Sequence, residues 1–394
     1  MDVVKEIKEL KNQLAYSKNI GFFFGAGTSC ALKIPNIAML TAEIEKNLKD
    51  DKLKNFKIIR DNLKKTLGRE VNIEEILNQI RKIREITYDK TDQDFNKVTG
   101  DAAKNLDKEI CNQIYEIIEG AEGKADLTNP RMFFAWLTNL NHEYSKEIFT
   151  TNYDLIIEKS LEQKQIPYFD GFVGSYEPFF WQESIEQATG KTDMTRNWIR
   201  LWKIHGSLSW FWKEDKKDNS QKIIRVGKFD KAGTTDKELV IYPSKEKYDS
   251  SRKQPFIAYF DRLKNFLSSG ELLFIFTGFS FSDQHINEIV FNCLRQNNRL
   301  FCIVLCYTDT EVENLHTLTK SSYMNLNVFG PKKAIVNGTL SDWTFDKTTL
   351  KDTEKFDTYW NEAKGELKLG DFNELVNFLI TYSGKAELIE ALKK

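Results

Sequence analysis

Apolar positions recur along this chain at two spacings, and the alternation between them predicts its architecture. Val3, Ile7, Leu10 and Leu14 fall three or four residues apart, so an amphipathic helix opens the chain. The short unbroken run Gly21-Phe22-Phe23-Phe24 follows and reads as a strand. From about Leu53 to Ile118 the stripes are helical again, as in Ile73, Ile76, Leu77 and Ile80 and then Ile110, Ile114, Ile117 and Ile118, with charged faces between them. That pattern predicts a helical insertion, left through a loop from Glu119 to Asp126 that Pro130 closes. A helix around Phe133 to Leu140 leads to the strand Glu147-Ile148-Phe149-Thr150. Further strand candidates are Ile199 to Ile204, Ile223 to Val226, Leu239 to Tyr242, Leu272 to Thr277 and Phe301 to Tyr307. Short apolar strands alternating with helices favour a parallel α/β sheet buried on both faces. The charged segment from Lys213 to Ser220 reads as a solvated hairpin or loop tip, and Phe372, Leu375, Val376 and Leu379 place helices at the end of the chain. Those helices either cap the core or bind another subunit.

Composition narrows the class without naming a chemistry. A chain of 394 residues with 41% hydrophobic content is globular and long enough for one large domain with additions, or for two domains. A formal net charge of −1 gives no sign of a nucleic-acid partner, although a near-neutral total does not exclude a local basic patch. Charges in Met1-Asp2-Val3-Val4-Lys5-Glu6 stand where a signal peptide would place its apolar core. No apolar run approaches the ~20 residues needed to span a bilayer, so a cytoplasmic location with no membrane contact is expected. Cys30, Cys111, Cys293, Cys302 and Cys306 are scattered among mostly apolar neighbours with no CxxC pair, which predicts buried free thiols rather than disulfides or zinc.

The chemistry is carried by four loops that each follow a predicted strand. Gly25-Ala26-Gly27-Thr28-Ser29 comes directly after the first apolar strand and leads through Cys30 to Lys33 into Ile34-Pro35-Asn36, which reads as strand, phosphate loop and pocket wall. Small residues let a backbone approach a pyrophosphate, and a following helix offers free N–H groups and its positive dipole end. A nicotinamide dehydrogenase is poorly supported, because Cys30 stands where a third glycine would be and Glu43 and Glu45 lie in a predicted helix. In Thr150-Thr151-Asn152-Tyr153-Asp154, an amide and a carboxylate two residues apart suit the orientation of a water or sugar hydroxyl; Asp154 is equally suited to capping a helix. His205-Gly206 ends an apolar strand, where a histidine is either a base near neutral pH or a structural residue of the sheet rim. Thr277-Gly278-Phe279-Ser280-Phe281-Ser282-Asp283 supplies small hydroxyls at a strand end, and His285 just beyond it reads as a helix-start residue.

In this order the four loops resemble the motifs of the sirtuin superfamily over roughly residues 18 to 310. The family's Gly-Ala-Gly-x-Ser and Gly-Ile-Pro-Asp stretches lie over Gly25 to Ser29 and Lys33-Ile34-Pro35-Asn36 without a gap. Its Thr-Gln-Asn-Ile-Asp, His-Gly and Gly-Thr-Ser motifs are similar to Thr150 to Asp154, His205-Gly206 and Gly278-Phe279-Ser280. The resemblance implies a Rossmann-like doubly wound parallel sheet forming a catalytic domain over 1–310, with the helical insertion at about 51–130 and a C-terminal helical extension over 311–394.

Two departures redirect the implied activity. Sirtuin deacylases carry a four-cysteine zinc module after the His-Gly motif, whereas Ser207 to Tyr242 contains no cysteine and cannot build such a site. The Asp-Phe-Arg of the family's flexible loop is also missing, since Asn36 is followed by Ile37 and Ala38. A zinc-less core with a helical insertion and an Asn-Tyr-Asp turn is similar to the NAD glycohydrolases of bacterial anti-phage defence. That resemblance implies NAD⁺ as substrate and no metal, with nicotinamide and ADP-ribose as products. By the same match Asn152 positions the attacking water and the nicotinamide ribose, Asp154 holds the carboxamide, and His205 bonds ribose hydroxyls or acts as base. Gly25, Ala26, Gly27 and Ser29 hold the pyrophosphate, Ser280 lies near the adenosine ribose, and Pro35, Asn36, Thr151 and Gly278 complete the binding set. A free-standing effector of this kind implies a homo-oligomer and a separate activator, a HerA-type ATPase first and an Argonaute second. The competing classes are a protein deacylase that dispenses with zinc and a non-catalytic NAD⁺ or ADP-ribose sensor.

Overall fold

The computed structural model describes residues 1–140, 144–187, 198–215, 220–227, 238–241, 254–320, 322–350 and 355–383. At its centre is a nine-stranded sheet. From one edge to the other the strands are Thr339–Asp342, Lys333–Val336, Leu326–Phe329, Leu300–Leu305, Leu272–Thr277, Ile20–Phe24, Lys146–Thr150, Ile199–Lys203 and Tyr168–Phe169. From Leu326–Phe329 to Tyr168–Phe169 all neighbours run parallel, and the two remaining edge strands are antiparallel. The chain starts in the middle, at Ile20–Phe24, and fills first one side and then the other. The fold is therefore the expected Rossmann-like α/β class, with its topological switch point between Ile20–Phe24 and Leu272–Thr277.

The strands read as unbroken apolar runs because helices cover both faces. All five residues of Ile20–Phe24 and all six of Leu272–Thr277 are buried. The opening helix, Val3–Tyr16, is capped by the Asp2 carboxylate, which accepts from the Val4 amide at 3.0 Å, and it buries Val3, Val4, Ile7, Leu10 and Leu14. On the same face lies the helix Phe372–Tyr382, whose Phe372 ring sits 5.6 Å from that of Phe24 and 5.8 Å from that of Phe133. Its Asn373 donates to the Ala31 carbonyl at 3.0 Å, so this late helix reaches the loop that follows the first strand.

The helical module differs in extent from the sequence expectation. It begins with Ile37–Asn47 and continues through Asp50–Leu67, Ile73–Thr87 and Gly100–Glu122, burying a separate apolar cluster that includes Ile44, Phe56, Ile76, Ile80, Leu106 and Ile110. The segment from Glu119, expected as a loop, stays helical to Glu122 and ends at Gly123, because the buried Glu122 is held by the Leu155 amide and Lys159. Pro130 opens rather than follows an element: it sits in the first turn of Thr128–Thr138, where its missing N–H is not needed.

A second difference concerns the middle strands. Ser220–Arg225 and Glu238–Ile241 do not join the parallel sheet; with Gly206–Asp215, Phe179–Phe180 and Phe172–Val173 they form a separate five-stranded sheet. Its pairings among the described residues are antiparallel. The tip between Asp215 and Ser220 falls on residues 216–219, outside the described residues, while the strands on either side pair as the two arms of a hairpin. Among the described residues no helix is long and apolar enough to cross a membrane. All five cysteines are free thiols, three of them buried and Cys30 and Cys111 half-buried.

Inside the helical module Asp107 is buried against Arg84 at 2.6 Å and Arg81 at 3.5 Å. Burial alone would raise its carboxyl, but the two guanidinium groups outweigh that and hold it below its ordinary value. The stabilisation is therefore present above the unfolded carboxylate range near pH ~4 and is lost as pH falls through the lower folded value. Asp107→Asn should cost roughly 1–3 kcal/mol at neutral pH by removing the charge between Arg84 and Arg81, with Arg84 keeping its pair with Asp89, and should flatten the acid loss of stability. Urea unfolding at neutral and acid pH checks both; an unchanged midpoint at neutral pH would refute the assignment.

Candidate functional site

The site lies at the C-terminal ends of four adjacent parallel strands, where the loops starting at Gly25, Thr151, Ile204 and Gly278 meet. Between the first and last of these loops the backbones touch. The Gly25 amide donates to the Thr277 carbonyl at 3.0 Å, and the Gly27 amide to the Gly278 carbonyl at 2.9 Å. A Cβ on Gly25 would lie 2.3 Å from the Gly278 carbonyl oxygen, and one on Gly27 would lie 2.6 Å from the Gly278 Cα. Gly278 itself has a φ of +65°, and a Cβ there would lie 2.4 Å from the Thr28 amide nitrogen. The sequence assigned these glycines to a pyrophosphate. Their observed duty is to let the two halves of the sheet close on each other at the switch point, with the amides of Gly25 and Gly27 already bonded. Ala26 and Gly27 form the exposed start of the short helix Ala26–Cys30.

Asn152 ties the second loop to the first. Its Nδ2 donates to the Gly25 carbonyl at 3.0 Å, to Thr28 Oγ1 at 3.0 Å and to Ser29 Oγ at 2.8 Å, while Thr28 Oγ1 donates to the Gly25 carbonyl at 2.8 Å. All three contacts of the Asn152 amide use its nitrogen, which leaves Oδ1 as the atom with which it can orient a ligand. Ser29 Oγ donates to Asp154 Oδ2 at 2.6 Å, and Asp154 Oδ1 accepts from the Ile156 amide at 3.2 Å. Asp154 is thus not the N-cap of the helix Ile156–Gln163, which is Leu155; it accepts from the first amide of that helix and holds the Gly25 loop as well. Under this turn the ammonium of Lys203 donates to the Asp154 carbonyl and, at 2.8 Å, to Glu158. Cys30 is nearby, with its thiol pushed up by burial and by the Asp154 charge, so it is held as a thiol rather than a nucleophilic thiolate.

His205 connects the third loop to the fourth. The Ile204 amide donates to the Thr150 carbonyl at 2.8 Å and the Leu208 amide to the Tyr153 carbonyl at 3.0 Å, fixing the His-Gly turn against the Asn152 turn. Gly206 has a φ of +97°, which glycine adopts without strain. His205 Nε2 lies 3.0 Å from Asp283 Oδ2, and Asp283 Oδ1 caps the helix Gln284–Gln296 through the amides of His285 at 2.8 Å and Ile286 at 3.1 Å. Burial would raise the Asp283 carboxyl, but the His205 bond and charge together with the two amides outweigh it and hold the group below its usual range. Glu74, from the helical module, behaves oppositely: burial pushes it up, against the opposing effects of His205 and of the Tyr153 hydroxyl bonded to it.

The remaining sequence candidates are placed as follows. Asn36 caps the helix Ile37–Asn47, its side chain accepting from the Met39 amide at 2.9 Å, and Pro35 beside it is half-buried. Thr151 is half-buried with its amide on the Phe24 carbonyl at 3.3 Å. Ser280 is exposed, its hydroxyl 3.1 Å from that of Ser282. His285 is an exposed residue of a helix start. Sequence reasoning gave no role to Thr28, Glu74, Lys203 or Asp283. Asp283 was legible as a capping residue before a helical stripe; the other three are defined only by the folding together of distant segments.

With this geometry in view, residues 146–327 match the family model described as a SIR2-like domain. The matched segment holds Asn152, Asp154, His205, Gly278, Ser280 and Asp283, while the Gly25 loop precedes it. A search of curated proteins gives no match. Among solved structures the chain is similar to a Sir2 homologue in complex with NAD, at 14% identity over 96% of this chain and 94% of that one, with a TM-score of 0.41. It is also similar to a mutant Sir2 homologue in complex with 2′-O-acetyl ADP-ribose, at 13% identity over 75% and 83% of the two chains, with a TM-score of 0.36.

Gly278 and Gly365 share a φ of +65°, but a Cβ on Gly365 meets nothing within 4 Å. Gly365→Ala should therefore cost only the left-handed backbone penalty, roughly 1–2 kcal/mol. Gly278→Ala should cost clearly more, because the loop contact must open as well. Thermal unfolding of both variants separates the two terms; equal losses would show that the glycine contact at the switch point is not tight.

Proposed function

We propose that this protein is an NAD glycohydrolase, which cleaves the N-glycosidic bond of NAD⁺ with water to give nicotinamide, ADP-ribose and a proton. The observation that carries the reading is the ring of contacts that brings Asn152, His205 and Asp283 to the switch point beside the start of the Ala26–Cys30 helix. A dinucleotide laid across that point would place its pyrophosphate near the Ala26 end and its nicotinamide ribose near Asn152 and His205. Ligand contacts of the bonded Gly25 and Gly27 amides are not required by this pose.

The chemistry asked of these residues is modest. Nicotinamide leaves as a neutral molecule, and the positive charge that develops on the ribose resembles an oxocarbenium ion. Asn152 Oδ1 orients the water or a ribose hydroxyl, and His205, held by Asp283, accepts the proton released as water attacks C1′. Asp154 serves by fixing Ser29 and the turn, since both of its carboxylate oxygens are already bonded within the protein. The SIR2-like match supports a nicotinamide-cofactor substrate, and the absence of cysteine from 207–242 favours water over an acyl-lysine peptide as the acceptor. The wider role, a defence effector depleting NAD⁺ as a homo-oligomer with a HerA-type ATPase partner, rests on the resemblance of the motifs.

Incubation of the purified chain with NAD⁺, followed by mass analysis of the products, should show nicotinamide and ADP-ribose without any acylated peptide. His205→Ala and Asn152→Ala should each lower the rate by ~100-fold or more, the scale of a lost positioned acid/base group. Asp283→Asn should lower it by ~10-fold or more while leaving NAD⁺ binding nearly intact, because it acts on His205 orientation. Turnover that requires an acylated peptide, or wild-type-like rates in both alanine variants, would sink the reading.

A further inference from the structure

The helical module does more than cover the sheet: it grips the Asn152 turn from both sides. The middle residue of that turn, Tyr153, donates its hydroxyl to Glu74, which stands in the first turn of Ile73–Thr87. On the far side of Asp154, the Leu155 amide donates to Glu122 Oε1 at 2.7 Å; Glu122 ends Gly100–Glu122 and is also paired with Lys159. Apolar contacts run the same way, since Ile156 and Leu208 are buried within the module's own core and Tyr153 packs against it. Leu208 in turn bonds the Tyr153 carbonyl. Two carboxylates from two module helices therefore bracket the three residues from Tyr153 to Leu155, and the adjoining Asn152 has its own amide fixed by Thr150 Oγ1 at 3.0 Å.

We propose that Glu74 is a positioning residue of the site: through the Tyr153 hydroxyl, and together with Glu122 on the Leu155 amide, it holds the Asn152 turn in its working geometry. The proposal rests on the glycohydrolase reading for its effect on turnover but not for its structural content. The Tyr153 hydroxyl reaches Glu74 across 79 residues, so its loss removes the side-chain contact that fixes the middle of the turn to the module and loosens the turn while its other bonds remain. A displacement of about 1 Å at such a position can cost up to ~100-fold in rate.

The test uses Glu74→Ala, Glu74→Gln, Tyr153→Phe and the double variant Glu74→Ala/Tyr153→Phe, with two readouts. Glu74→Gln keeps an acceptor for the Tyr153 hydroxyl and serves as the conservative rescue. Hydrogen exchange over residues 150–156 should accelerate in Glu74→Ala and in Tyr153→Phe, stay near wild type in Glu74→Gln, and be no faster in the double variant than in either single one. In turnover, kcat for NAD⁺ should fall ~10-fold or more in the first two variants with KM little changed, and recover in Glu74→Gln. If the wild-type chain releases no nicotinamide, the glycohydrolase reading fails while the exchange measurement still decides the positioning role. Unchanged exchange in Glu74→Ala, additive acceleration in the double variant, or a Glu74→Gln variant as impaired as Glu74→Ala would each overturn the proposal.

Discussion

The contact on which the rest depends is the one between two backbones at the switch point, Gly25 and Gly27 against Gly278. The strands Ile20–Phe24 and Leu272–Thr277 are neighbours in the sheet but are separated by most of the chain, so nothing local brings their exit loops together. Side chains at these positions would hold the loops apart. With the Cβ atoms absent, amides and carbonyls reach each other directly, and the two exit loops hold each other through their backbones. From that closure the other contacts follow in a circle: Asn152 to the Gly25 carbonyl, Leu208 to Tyr153, and His205 to Asp283, which lies five residues beyond Gly278. Each contact in this circle joins loops distant in sequence, so the strand ends are held by mutual contacts and not by any one loop alone.

Such a crevice requires polar groups in a place where the sheet is otherwise apolar. Asn152, Asp154, Lys203, His205, Ser207 and Ser209 are all buried. Each has a partner on the page: Lys203 reaches the Asp154 carbonyl and Glu158, and the two serines bond each other at 3.0 Å. On the other side of the strands, Glu147 receives the indole N–H of Trp202 at 2.8 Å and pairs with Arg262. Buried charge is tolerated where it is paired and bonded, and here the pairing fixes which loop conformation the strand ends adopt.

The sheet was legible because it is made of parallel strands buried on both faces. Phe22-Phe23-Phe24 and Leu272 to Thr277 have no polar alternation to confuse with anything else, and both lie in the parallel sheet, where they pair with each other. The second sheet was not legible, because Ser220–Arg225 and Glu238–Ile241 carry no signal of which partner they choose; pairing with Gly206–Asp215 is decided by the hairpin and not by composition. A helix carrying Glu43 and Glu45 was expected, but not that it opens the module, because Ile37–Asn47 buries only Leu40 and Ile44 and so thin a stripe does not say which core it joins. Of the site, the positions of Asn152, Asp154 and His205 were readable as loops after strands. Their partners were not: Ser29 meets Asp154 across 125 residues and His205 meets Asp283 across 78, distances at which sequence spacing carries no information.

His205 contacts the Asp283 carboxyl and feels the charge of a second one, Glu74, and the fold treats the two differently. Asp283 accepts two backbone amides at a helix start, and together with the histidine these overcome its burial and keep it ionised. Glu74 has no such amides; its burial dominates, and it is pushed toward the protonated acid. Pairs of titratable groups whose environments drive them apart are how a single site divides acid and base roles near neutral pH. The Asp283 carboxylate holds the histidine ring through Nε2. Since Asp283 caps the helix Gln284–Gln296 that follows the strand Leu272–Thr277 and Glu74 comes from the helical module, the charge around His205 is set jointly by both parts of the fold.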